Sequence, residues 1–208
     1  MLKSVSALCA LATLCTMLMA PEALATPATE AFIQQNFDKG YMILNDTSLS
    51  DAQRRDQFRA LLVELAASRR IALFTLGYYA AGAAPSAVDA FVEAFTKYSV
   101  AVYEKGLNRY EGQVLKVTGS TDRASDDSVV AAELVSPNQS SGQSIKVAFR
   151  VRRGETGAPT ITDMLIEGVS LATTERDDFT AYLRQHAGSI PELTERLNAM
   201  ADKREPVK

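Results

Sequence analysis

Apolar side chains in this chain keep two different periods, and the change from one to the other fixes the fold class. From Thr29 to about Gly119 they recur at helical spacing, whereas Ile145, Val147, Phe149 and Val151 alternate strictly with Lys146, Ala148, Arg150 and Arg152. Recurrence at three and four residues builds one face of a helix, and alternation puts successive side chains on opposite faces of a strand. The helical period then returns in two segments expected at about 174–186 and 190–202. Helices before and after a contiguous sheet make an α+β domain.

Local signals punctuate the first half. Phe32, Ile33, Asn36, Phe37 and Gly40 open a helix that should end near Asn45. Ser50-Asp51-Ala52-Gln53 has the form of a capping box, in which the serine hydroxyl and the glutamine amide satisfy reciprocal orphan N–H groups. Phe58, Leu61, Leu62 and Leu65 follow at helical spacing. A second apolar run, Ile71 to Leu76, stops at Gly77, a C-cap residue by type. Pro85-Ser86 starts a long helix whose stripe is Phe91, Ala94, Phe95, Tyr98 and Val102, ending between Asn108 and Gly112.

Besides the alternating run, Gln113–Thr118, Ser128–Val135 and Thr160–Val169 read as strands, separated by the polar loops SPNQSSGQ and GETGAP. Four strands in succession with hairpin-length connections predict an antiparallel meander with one face covered by helices. The last strand should end at Gly168, where a residue without Cβ permits a bulge or sharp bend. A helix should then start with Thr173 or Thr174 as N-cap and carry Arg176, Phe179 and Leu183 on one side.

The N-terminus carries Lys3, an apolar stretch from Val5 to Ala20, and Ala23-Leu24-Ala25. One positive charge, an apolar core too short to span a bilayer comfortably and small residues at the cleavage positions predict a signal peptide over residues 1–25. Residues 26–208 would then be one exported domain. Cys9 and Cys15 lie in the leader, each after a leucine where a lipoprotein box needs a small residue, so a disulfide and a lipid anchor are both unexpected. The net charge of −3 and the absence of a broad basic face argue against nucleic acid as a partner.

Chemistry-bearing residues are sparse. The one histidine, His186, falls near a helix end, where the dipole favours it. With no second histidine and no cysteine after the leader, soft or imidazole-rich metal sites are not expected, and no phosphate loop or nucleophile elbow appears. Asp126 and Asp127 read as turn residues. Arg150, Arg152 and Arg153 read as a solvated cluster, as do Arg54, Arg55 and Arg59. Asp163 and Glu167, four apart on a strand, are the remaining acid/base pair; the plainer reading leaves Asp163 to solvent and has Glu167 tie down the bend.

Several blocks follow one another in an order that resembles a known family. Arg55 and Leu61-Leu62 lead to Thr75-Leu76-Gly77-Tyr78-Tyr79; an aromatic ladder follows in Phe91, Phe95, Tyr98 and Tyr103; then come Tyr110-Glu111-Gly112-Gln113 and the run DMLIEGVSL from Asp163 to Leu171 before TTERDDF. From about Leu44 to Leu197 the chain is similar to the MlaC, or toluene-tolerance, family of periplasmic lipid carriers. The family's frequent tryptophan before the aspartate strand is replaced here by Ala158-Pro159-Thr160.

The resemblance implies a curved four-stranded antiparallel sheet packed against a helical layer, an NTF2-like arrangement with an internal apolar cavity. It implies a lipid-binding wall formed by Leu76, Phe91, Phe95, Tyr98, Val147, Phe149, Val151, Leu165, Val169 and Leu171, with no catalytic residue, metal or cofactor. The implied ligand is a phospholipid. The implied partners are an outer-membrane lipoprotein complex and an inner-membrane ABC transporter complex with its substrate-binding subunit. A hopanoid or other polycyclic lipid is the alternative ligand. An isomerase or hydratase using Asp163, Glu167 and a tyrosine is the alternative from another class.

Overall fold

The structure, a computed structural model, describes residues 27–107, 112–137, 144–154 and 157–203. The expected signal peptide, Tyr110-Glu111 and much of the loop SPNQSSGQ lie outside the described residues. No helix among the described residues is long and apolar enough to cross a membrane.

Four helices come first: α1 (Pro27–Asn45), α2 (Asp51–Leu65), α3 (Ser68–Leu76) and α4 (Pro85–Leu107), with a 3-10 stretch at Gly77–Gly82. The capping box forms as the sequence predicts, Gln53 N donating to Ser50 Oγ at 3.3 Å and Ser50 N to Gln53 Oε1 at 2.9 Å. Gly77 caps α3 with φ 57°. A Cβ there would also stand 3.3 Å from the Arg176 guanidinium, which lies over the Phe74 ring. Glycine thus serves both the turn and the close approach.

The sheet has five strands, not the four expected: β1 (Val114–Ala124), β2 (Asp127–Val135), β3 (Ser144–Arg153), β4 (Pro159–Ile166) and β5 (Val169–Ser170), all antiparallel in that order. β1 runs six residues past its predicted end because an irregularity between Val117 and Gly119 lets pairing resume beyond the glycine. The expected last strand is a hairpin. Glu167 and Gly168 both take positive φ, 49° and 82°, which is the two-residue turn whose twist suits a hairpin. Ile166 consequently faces Val169 and Leu165 faces Ser170. Glu167 holds the turn, its Oε1 accepting from Lys146 N at 2.7 Å and its N–H donating to Lys146 O at 2.9 Å.

Two helices close the chain, α5 (Leu171–Gln185) and α6 (Ile190–Asp202). The N-cap of α5 is Ser170 rather than Thr173 or Thr174, since β5 delivers Ser170 Oγ 3.0 Å from Thr173 N. Thr174 turns its own hydroxyl to the Ser170 carbonyl. His186 ends α5, with Nδ1–H donating to Tyr182 O and its ring stacked on Tyr182 at 3.8 Å.

The apolar interior falls into two clusters. One is helical: Leu76 of α3, Phe91 and Phe95 of α4, Phe179 and Leu183 of α5, and Leu193 and Leu197 of α6. The other joins α1 to one face of the sheet, with Ile33 against Leu115, Val130, Val147, Phe149 and Val151. The opposite face carries Lys116, Glu133, Lys146 and Arg150, as the alternation predicts. There Arg150 grips Asp127 with two hydrogen bonds of 2.9 and 2.6 Å, and Arg152 reaches Asp126 at 2.9 Å. Asp127 is therefore a buried strand residue and not a turn residue. The Arg150 guanidinium holds its carboxyl below the usual aspartate range.

α1 also closes the long margin of the sheet. Leu115 N donates to the Tyr41 hydroxyl, Val117 N donates to Gln34 Oε1, Gln34 Nε2 reaches Leu115 O, and Ser120 Oγ donates to Glu30. The Leu115 and Val117 groups are backbone donors and acceptors of an edge strand, which otherwise invite another strand, and Ser120 adds a side-chain contact. On the far margin, β5 pairs with the end of β4, and Ala67 N donates to Ile161 O nearer its start.

Candidate functional site

The ten wall residues expected from the sequence do not form one surface. Leu76 and Phe91 are fully buried inside the helical cluster beside Phe95, and the rings of Phe91, Phe95 and Phe179 sit 6.0–6.3 Å apart. Val147, Phe149 and Val151 are buried in the other cluster, where Phe149 packs on Phe37 at 5.1 Å. Tyr98 borders the helical cluster, and Leu165 and Leu171 are half-buried where β4 meets α5. Val169 on β5 is 58% exposed.

Along the seam of α4, α5 and β4, α5 packs against β4 and Tyr98 of α4 bonds to Glu175 of α5. Tyr98 packs half-buried against the helical cluster, and Ile161 and Met164 pack half-buried against the sheet cluster. Tyr103 lies near Asp163 on β4 and Glu175 on α5, whose charges both act on it; Asp163 stands opposite Arg150 and Met164 opposite Phe149, so these two residues of β4 point to different faces of the sheet. Tyr103 keeps 39% of its surface accessible. Burial nevertheless pushes its phenol above the usual tyrosine range, with the two carboxylates adding to the effect.

The polar groups of the seam are hydroxyls and carboxyls. Tyr98 donates to Glu175 Oε1 at 3.2 Å. Burial, then the charge of Glu175 and this hydrogen bond, push the Tyr98 phenol up to about 12, so it remains a neutral donor. Burial pushes the Glu175 carboxyl up; the Tyr98 hydrogen bond opposes this and Asp178 adds to it. A raised folded-state value means that proton uptake favours folding. The contribution is fully present below the ordinary glutamate value of 4.5 and is lost as pH rises through the folded-state value. Glu175→Gln is therefore expected to raise the melting temperature at neutral pH, and the gain over wild type should vanish on acidification below that value. Paired thermal melts across pH check it.

The acid/base pair does not assemble. Asp163 accepts from Ala172 N at 3.0 Å and from Ser170 Oγ at 2.6 Å, which makes it an anchor for the start of α5. Glu167 is exposed on the β4–β5 turn and bonded to Lys146 N. Each carboxylate has a structural task. Among the described residues no group of three or more histidine, cysteine, aspartate or glutamate side chains could hold a metal ion.

Tyr103 and Glu175 are the site residues that the sequence reading passes over. Tyr103 stands in the aromatic ladder but off the stripe of Phe91, Phe95 and Tyr98. Glu175, in the first turns of a helix, reads as an ordinary partner for the dipole.

Compared with known families, residues 34–199 match the model of the family described as MlaC protein. Among solved structures, the fold is similar to that of a phospholipid-binding protein from Ralstonia solanacearum determined in complex with a phospholipid. The two chains are 20% identical with a TM-score of 0.70, and the match covers 83% of this chain and 96% of that one.

Proposed function

Since the chain belongs to the MlaC family, we propose that it binds a diacyl phospholipid in the seam between its helical and sheet clusters and carries that lipid without transforming it. The observation that carries this reading is the divided interior, one apolar cluster among the helices and another between α1 and the sheet; the proposal runs the lipid past the β4 margin, with Tyr98 and Tyr103 on the helical side and Ile161 and Met164 on the sheet side. An NTF2-like enclosure, with the sheet curving around the helical layer, belongs to the proposal. The phospholipid held by the Ralstonia relative supports the choice of ligand class.

The proposed setting is the periplasm, reached by cleavage of residues 1–25, and the proposed route joins an outer-membrane lipoprotein complex to an inner-membrane ABC transporter complex. Physical chemistry explains why such a route needs a carrier. At about 0.8 kcal/mol per methylene, some thirty methylenes exposed to water would cost on the order of 25 kcal/mol. Moving them between two apolar surroundings costs little, so the exchange can run either way. The partner that opens the seam would then set the direction.

Protein purified from a bacterial periplasm is expected to yield about one phospholipid per chain on organic extraction and mass spectrometry. Delipidated protein should reload from phospholipid vesicles. Extracts without stoichiometric lipid, together with no vesicle exchange, would sink the proposal, and a polycyclic lipid in their place would move the ligand to the hopanoid class.

A further inference from the structure

A second concavity lies away from the seam. It is a groove of about 840 Å3 laid along α4 and walled by α2 and α6. Its apolar lining is made of short side chains, Val92, Val100 and Ala101 of α4 with Thr96 between them, beside Val63 of α2; Val63 is 46% exposed. The stretch of α4 from Val92 to Lys105 extends about 20 Å at the rise of a helix, room for roughly three to four turns of another helix. Small side chains on a groove floor let a second helix axis come close.

The charges of the groove are unbalanced. Arg59 is held by Glu104, with Nη2 at 2.7 Å, and lies 3.7 Å from Asp56; Lys97 pairs with Asp202 at 2.8 Å. These pairs use up three of the four lining carboxylates and leave Glu93. Arg55, Lys105 and Lys203 have no carboxylate at salt-bridge distance among the described residues. With five cations against four carboxylates the groove carries one net positive charge, in a chain whose net charge is −3.

We propose that this groove docks an amphipathic helix of a partner protein, with small apolar side chains against α4 and carboxylates against Arg55, Lys105 and Lys203. An apolar floor under a charged rim is the arrangement by which helices are recognised in grooves, the floor giving affinity and the rim register and rate. A flat anionic bilayer is the poorer occupant, because the concave walls keep the floor from it. The inference goes beyond lipid binding, and its test has a separate readout.

The probe is a labelled synthetic helical peptide with alanine and leucine along one face and glutamates flanking it, titrated with the full exported chain by fluorescence anisotropy. A version with lysine in place of glutamate is the control. The acidic peptide should bind more tightly than the basic one, and more weakly as salt is raised. Arg55→Glu combined with Lys105→Glu should weaken it by roughly tenfold or more while phospholipid reloading stays unchanged. Ala101→Leu, which raises the floor and alters no charge, should weaken it as well, with thermal melts confirming that both variants fold. Equal binding of the two peptides, or binding that survives the double reversal, overturns the proposal. It is also overturned if the same cations govern sedimentation with phosphatidylglycerol vesicles and not peptide binding.

Discussion

Phe91→Ala should cost about 3–5 kcal/mol of stability, the cost of emptying a large aromatic site in a close-packed core. Phe91 is fully buried, stacked with Phe95 and edge-on to Phe179 at 89°, with Leu76 in the same cluster. That is a large share of the roughly 5–15 kcal/mol that holds a domain together. Urea unfolding of delipidated protein, read as a fall in midpoint at unchanged slope, measures it. A loss under about 1 kcal/mol would mean that the ring faces open space. Phe91 would then belong to a ligand wall, as the resemblance implied, and not to the helical core.

The largest expected effect on lipid binding comes from the seam. Met164→Asp and Tyr103→Asp each place a carboxylate beside the proposed acyl chains, where an unpaired charge costs several kcal/mol, so reloading from vesicles should fall by about tenfold or more. Tyr103→Asp should remain folded, since 39% of this side chain is accessible and water can reach the new charge when the seam is empty. Phe149→Asp should behave differently. Phe149 is 2% exposed and packed on Phe37, so the same charge there should unfold the sheet cluster. Circular dichroism and vesicle exchange on all three separate the cases. If the seam variants fold and still load normally, the lipid lies elsewhere; if they unfold as readily as Phe149→Asp, the seam is solid core.

The difference between these variants marks how far sequence reading reached. Signals carried by neighbours in the chain were legible: the Ser50–Gln53 box, the cap at Gly77, the start at Pro85 and the alternation around Phe149. Each depends on contacts within a few residues. β5 was not legible, because a two-residue strand has no period and its turn uses Glu167, a residue type that seldom takes positive φ. Asp127 was misread for a related reason, as its partner Arg150 becomes its neighbour only once β2 and β3 pair. The candidate site shows the same limit. Periodicity identified Leu76, Phe91, Val147 and Phe149 as inward-facing, but spacing along a chain does not say which cluster a side chain joins.

The contact of α1 with β1 has a consequence for how this protein behaves in company. Tyr41 and Gln34 stand where a neighbouring strand would stand, and the same helix covers the apolar side chains of the sheet cluster. Detaching α1 would expose a row of backbone donors and acceptors together with the oily surface beside it, the two ingredients from which copies of a chain polymerise. Tertiary docking of one helix and resistance to self-assembly at high concentration are in this molecule a single property, and whatever loosens the first erodes the second.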